Sequence, residues 1–409
     1  MSHAHALVSM LVSAALAPGA ILADPGTPEA GQAAPQDDLA PYEIAASALA
    51  FAQSVTRGSG PGADDAAINF RADLELTLPG GQFGGAQGKI FTHVRVGYGS
   101  GLTELPPTLT GGVNSSALPP RQAGSPRDEI TPILAQAWYQ LDLPLGPSSA
   151  GGGGHLELTA GKIDPFVFFD GNRLASDESE AFMNSVFVHN PLLDSGGDAG
   201  VDQYGFTPGV RLAYVGELGD QDRWSLSLGL FGAGPDTEIK GDLDQDFVIG
   251  QLDYEGSAWG GLEGGYRLYA WSNGNAESLS GALQKHTGWG VSVDQRLGDS
   301  LALFGRYGQS LAGEVSFDQG LTLGAELSGH AWGRADDRLG FAWGYLHTSS
   351  DYRAETGFSG AEQQYELYYQ WKLTEQLALA PDLQWISRSG GDGAADDLLV
   401  VGLRIKASL

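Results

Sequence analysis

The stretch Ile68-Asn-Phe-Arg-Ala-Asp-Leu-Glu-Leu-Thr-Leu78 alternates without a break. Ile68, Phe70, Ala72, Leu74, Leu76 and Leu78 share one parity; Asn69, Arg71, Asp73, Glu75 and Thr77 share the other. A period of two puts the two sets on opposite faces of a β-strand. The same pattern returns along the chain. Trp224, Leu226, Leu228 and Leu230 alternate with Ser225, Ser227 and Gly229, and Tyr365, Leu367, Tyr369 and Trp371 with Glu366, Tyr368, Gln370 and Lys372. The spacing yields about sixteen such segments, the first near residues 43–55 and the last near 397–407.

Alternation does not say which face is dry. A soluble sandwich buries the apolar face, whereas a membrane barrel turns it to lipid and lines a lumen with the polar one. Three features select the barrel. An even strand number closes without an edge, and an open edge in lipid leaves backbone groups unpaired at several kcal/mol each. Connections counted back from the C-terminus alternate short and long: 374–376 and 298–300 are short, 349–362 and 273–285 long. The longest two, 99–132 and 164–204, both fall on the long side, as extracellular loops do. Finally, Tyr98, Trp224, Trp289, Tyr365, Trp371 and Trp385 sit near strand ends on the apolar face, where interfacial girdles lie. The terminal set Leu399, Val401, Leu403, Ile405, Ala407 and Leu409 forms one apolar parity, a suitable closing strand.

The start of the chain fits this address. Residues 6–17, ALVSMLVSAALA, are too short to span a bilayer and suit a signal-peptide core, with Ile21-Leu22-Ala23 as a cleavage site. The expected division is a signal peptide over 1–23, a Pro- and Gly-rich flexible leader over 24–42, and an all-β transmembrane antiparallel barrel over 43–409. Composition excludes other classes. The 409 residues contain no cysteine, so disulfide scaffolds, thiolate metal sites and cysteine nucleophiles drop out. A formal charge of −28 opposes nucleic-acid binding, which needs clustered Lys and Arg. Asp242-Leu-Asp-Gln-Asp246 opens like a calcium loop, but Phe247 stands where that loop needs glycine, so no metal site is assigned. No cofactor is expected, and no Gly-x-Ser-x-Gly or His-Glu-x-x-His occurs, so no enzyme is expected either.

One interruption stands out: Gly161 to Pro191, GKIDPFVFFDGNRLASDESEAFMNSVFVHNP. So long an irregular stretch in a compact domain points to a functional loop. Asp177 and Glu180 suit a capping box, and Phe182, Met183, Val186 and Phe187 then follow at helical spacing. The expectation is a loop folded inward with a short helix, anchored by Phe182 and Phe187, with Arg173 and the carboxylates facing the opening and Phe168 and Phe169 as sugar platforms.

This block resembles the GK-x-D-P…F-D-x-N…F-V-x-N-P block of the OprB-type carbohydrate-selective porins. Gly205-Phe-Thr-Pro-Gly-Val-Arg211, Leu303-Phe-Gly-Arg-Tyr-Gly308, Pro381-Asp-Leu-Gln-Trp-Ile386 and Gly402-Leu-Arg404 are similar to later strands of that family in the same order. The resemblance implies a sixteen-stranded bacterial outer-membrane barrel for passive diffusion of mono- or oligosaccharides. Candidate pore-lining residues are Lys162, Asp164, Phe168, Phe169, Asp170, Asn172, Arg173, Asp177 and Glu178 in the loop, and Arg71, Arg95, Arg211, Arg267 and Arg306 on the wall. Arginine offers a fixed fork of donors and carboxylates accept from hydroxyls, which suits sugars. The acidic surplus keeps a porin for inorganic cations or other small nutrients as the main alternative, with a structural or adhesive outer-membrane protein behind it. Outer-membrane lipid and lipopolysaccharide are the expected surroundings; monomer and homotrimer both stay open.

Overall fold

The computed structural model describes residues 42–58, 66–102, 105, 107–110, 112–118, 129–146, 153–219, 222–233 and 246–409. The signal peptide, almost all of the leader and Asp242 and Asp244 lie outside them. Sixteen strands are present among the described residues: β1 (Glu43–Arg57), β2 (Ala66–Phe83), β3 (Ala86–Tyr98), β4 (Ile130–Pro144), β5 (Gly154–Ile163), β6 (Thr207–Leu218), β7 (Asp222–Gly232) and β8 (Asp246–Trp259). The second half comprises β9 (Leu262–Glu277), β10 (Leu283–Arg296), β11 (Leu301–Ala312), β12 (Phe317–Ser328), β13 (Arg338–Thr348), β14 (Glu362–Lys372), β15 (Leu377–Ser387) and β16 (Leu398–Ser408). Each pairs antiparallel with its sequence neighbours, and β1 closes the ring on β16, from Ser47 opposite Ser408 to Arg57 opposite Leu399. Closure gives every strand a partner on both sides, so the sheet has no edge.

The two parities take the faces expected of a membrane barrel. Leu212, Leu226, Leu228, Leu252, Leu268 and Leu403 are exposed on the outside, while Arg71, Arg211, Gln251, Arg267, Arg306 and Gln384 are buried within. No helix among the described residues is long and apolar enough to cross a membrane; the strands do the crossing. Two outer aromatic pairs lie near strand ends, Tyr214–Trp224 at 5.1 Å towards the short-turn rim and Tyr365–Trp385 at 5.0 Å towards the long-loop rim, whereas Trp289, expected near a strand end, pairs with Tyr307 at 5.5 Å in mid-strand. The amphipathic rings of the two end pairs suit the lipid headgroup level.

The interior is filled in part by loops. Residues 164–206, between β5 and β6, fold into the barrel as the sequence indicates. The expected helix is displaced. Asp177 begins only a single turn, its carboxylate accepting from Ser179 N at 2.8 Å and its carbonyl from Ala181 N at 2.8 Å. The helix, α1, is confined to Ser185–Val188 and is capped by the Asn184 side chain. The cause is the wall. Arg404 Nη1 donates to the Glu178 and Ala181 carbonyls and Nη2 to the Glu180 carbonyl, each at 2.8 Å, which removes acceptors a continuing helix would use. Glu180 does not return to cap Asp177: Gln370 donates to it at 2.7 Å and Lys406 pairs with it.

A second loop, not anticipated from the sequence, also turns inward. Ser115 N donates to Met183 O at 2.8 Å, Gln384 donates to Val113 O at 2.8 Å, and Leu109 N donates to Glu362 at 2.9 Å. Residues 109–110 and 112–118 therefore bridge the first inward loop to β14 and β15. The largest apolar cluster, including Phe169, Phe182, Phe187, Phe231, Phe304 and Tyr368, lies between loop and wall inside the barrel.

An arginine on the lipid face near the midplane costs about 2–4 kcal/mol. Leu228→Arg, at the middle of β7, is expected to lower stability by that order, read as a lower urea midpoint for folding into lipid vesicles.

Candidate functional site: an inward loop clasped to the barrel wall

The loop is fastened first at Asp170. This residue takes a left-handed φ of 57°, a conformation that aspartate tolerates better than most side chains. Its carboxylate accepts from Tyr269 OH at 2.6 Å and from Asn190 N at 2.6 Å, and pairs with Arg306 Nε at 3.1 Å. Arg306 uses all five of its N–H groups on the loop. Beyond Asp170 they reach the Phe187 carbonyl at 2.7 Å, Ser176 Oγ at 2.8 Å, the Asp170 carbonyl at 3.2 Å and the Ala175 carbonyl at 3.3 Å. Asn190 donates to Tyr269 OH at 2.8 Å, and its amide lies where a Cβ on Gly290 or Gly308 would sit. Those two glycines let the loop touch the wall.

Other fasteners follow along the loop. Glu366 accepts from Met183 N at 2.6 Å and Asn184 N at 2.9 Å. Asp198 accepts from Trp271 Nε1 at 2.8 Å and contacts His286 Nδ1 at 2.7 Å. Phe182 packs edge-on to Tyr368, with ring centroids 5.0 Å apart, and against Phe187 and Phe304, so the two expected aromatic anchors are anchors.

The sequence-derived candidates divide into two groups. Phe169, Asp170, Asn172 and Arg306 are buried; contrary to expectation they hold the loop and do not line the channel. Asn172 donates to Val293 O at 3.1 Å and Ser292 Oγ at 3.3 Å. Phe168 is only half-buried, but the Arg211 guanidinium covers its ring at 4.7 Å. Among the wall arginines, Arg71 joins three elements: it donates to Asp73 at 2.8 Å, to Glu178 at 2.5 Å and to Ser116 of the second loop at 3.2 Å. Arg95 and His93 converge on the same Asp73 carboxylate at 2.6 and 2.8 Å. Arg211 pairs with Glu157 at 2.6 Å. Arg267 spans Glu255 at 2.7 Å, Asp294 at 2.8 Å and Asp253 at 3.0 Å. Lys162 pairs with Asp202 at 3.1 Å and lies over the Phe206 ring, whose other cation is Arg95.

Open to the passage are Arg173, whose side chain is 40% exposed, and Asp177. Arg173 Nε donates to Asp294 at 2.5 Å, and Nη1 reaches the exposed Glu263 at 3.4 Å. The loop's acids differ in charge state. Burial would raise Glu178, but Arg71 and Arg95 outweigh it and hold it at about 2. Asp164 has weaker compensation, so burial lifts it to about 6. Burial, aided by the charges of Asp164, Glu178 and Asp170, pushes Asp194 up to about 7 despite Arg306.

A closed sixteen-stranded barrel with an apolar exterior, a charged interior and a loop narrowing the lumen defines a bacterial outer-membrane porin, a channel. The family model "Carbohydrate-selective porin, OprB family" matches residues 133–409, and the chain belongs to that family. It is a diffusion channel for carbohydrates in the outer membrane. The high-pH structure of Pseudomonas putida OprB is 17% identical, covers 90% of this chain and 94% of its own, and superposes with a TM-score of 0.68. The low-pH structure of the same protein gives 14% identity, 90% and 93% coverage and 0.51. The outer-membrane channel DcaP of Acinetobacter baumannii gives 12% identity, 90% and 97% coverage and 0.54. These likenesses establish the fold. No curated protein matches the chain significantly.

Removing one partner of a buried ion pair costs about 3–5 kcal/mol. Arg306→Ala is therefore expected to free the loop, raise single-channel conductance and expose residues 171–180 to protease, while heat-modifiable gel mobility of the barrel persists. A second expectation concerns pH. Asp194 is neutral below about 7 and anionic above it, so cation preference should rise as pH passes upward through about 7, measured as reversal potential in a salt gradient. Asp194→Asn should flatten that step.

Proposed function

We propose that solutes are selected where the loop edge, carrying Arg173 and Asp177, faces the wall bearing Arg95 and the Asp73–His93 cluster. The observation that carries this reading is the exposure of Arg173 in an interior whose other site arginines are mostly covered by carboxylates. A guanidinium held on one side by Asp294 keeps free donors for a sugar hydroxyl, and Glu263 supplies an acceptor beside it. Lys162 adds a second cation near the same passage. Mono- or short oligosaccharides fit this mixture of fixed donors and acceptors.

A second reading is supported by Glu75 and Glu263, whose side chains are 44% and 68% exposed. They favour cations, and the channel then passes small cations alongside sugars. Around the barrel, the exposed leucine face contacts outer-membrane lipid, and acidic loop carboxylates bridge lipopolysaccharide through divalent cations. Residues 1–23 direct export and are removed.

Reconstitution in planar bilayers separates the two readings. Sugars are expected to reduce the ion current, and Arg173→Ala to change both conductance and sugar block with unchanged barrel mobility on gels. Strong cation selectivity with no effect of any sugar would sink the carbohydrate assignment of this constriction. An Arg173→Ala channel identical to wild type would remove Arg173 from it.

A further inference from the structure

Most aromatic residues of the interior wall, such as Phe231, Phe304 and Tyr368, are covered, but β3 and β4 carry an aromatic pair towards the short-turn rim that is covered only in part. Phe91 and Trp138 lie opposite each other in register and stack with centroids 4.9 Å apart. Phe168 of the loop meets Trp138 edge-on at 5.8 Å, and Val167 beside it is 54% exposed. Trp138 itself is nearly covered and donates its N–H to Gln136 at 3.1 Å, so it backs Phe91. Phe91 is half-buried and keeps the rest of its surface in the passage.

Polar groups surround this apolar patch. Lys89, one inward position below Phe91, places Nζ 5.7 Å from the Trp138 ring and has no ion pair among the described residues. Gln140, opposite Lys89, is fixed by Thr159 Oγ1 donating to its Oε1 at 3.1 Å. Its amide donates to Asp142 Oδ1 at 2.7 Å. An apolar patch in a wet channel, flanked by an ammonium, matches a sugar ring in particular. The C–H face of a pyranose covers an aromatic ring, and its rim hydroxyls meet donors and acceptors at the ring's edge. A bare inorganic ion has no use for the apolar part.

We propose that Phe91, backed by Trp138 and flanked by Lys89, is a pyranose-stacking station on the channel wall towards the periplasmic side. It holds the solute briefly during passage. The proposal rests on carbohydrate being the solute. The test uses the full-length protein in two formats: liposome swelling with glucose and maltose, and titration of the same sugars against ion current in planar bilayers. Wild type is expected to swell and to show saturable current block. Phe91→Leu, which keeps an apolar side chain without the ring, is expected to raise the half-blocking concentration by about two- to tenfold. Lys89→Met should shift it in the same direction. Swelling by wild type with no saturable block overturns the station and leaves the carbohydrate reading standing. Saturable block that neither substitution moves overturns it as well. Absence of both swelling and block in wild type overturns the carbohydrate reading, and the station with it.

Discussion

The pore depends on the junction of Arg306 with Asp170. Both side chains are fully buried, one on a strand and one on a loop, and each would be expensive to leave alone. The loop meets that demand by curling around the guanidinium, presenting the carbonyls of Asp170, Ala175 and Phe187 and the hydroxyl of Ser176. Tyr269 and Asn190 complete the set of donors to the carboxylate. A channel needs a narrow point that does not wander, and a loop tied only by apolar packing would slide. Directional bonds to a buried ion fix its path.

The same logic runs around the lumen. Arg71, Arg211, Arg267 and Arg404 each pair with carboxylates or carbonyls, so most of the interior charge goes to wall and loop architecture. Pairing also splits the behaviour of the acids. Glu178 stays ionised because two guanidiniums outweigh its burial, whereas Asp194, beside other carboxylates, titrates near neutrality. Selectivity then falls to the few groups left with free capacity, among them Arg173 at the loop edge.

Strand count, parity and the position of the long loop were legible because they are local and repetitive. A wrong residue at Leu226 or Leu228 would put polarity into lipid, so the alternation is enforced at every step. The resemblance in residues 161–191 added the family, which residues 133–409 bear out. The inward loop's role as a structural block was less visible. Asp170, Asn172 and Phe169 look like site residues in sequence because Asp, Asn and Phe serve ligands and buried junctions equally well. The second inward loop left no signal, since it is held by backbone groups such as the Val113 carbonyl and Leu109 N–H.

The sequence by itself determined the barrel, because a two-residue period and an even number of closed strands leave one arrangement compatible with lipid outside and water inside. Tertiary structure decided the pore. Whether Asp177 starts a helix depends on Arg404, which lies 223 to 226 residues from the carbonyls it takes. Whether a charge is available to a solute depends on which partner the fold brings to it. Some partners stand on the neighbouring strand, as Glu157 does for Arg211, and others arrive on the inward loop, as Glu178 does for Arg71.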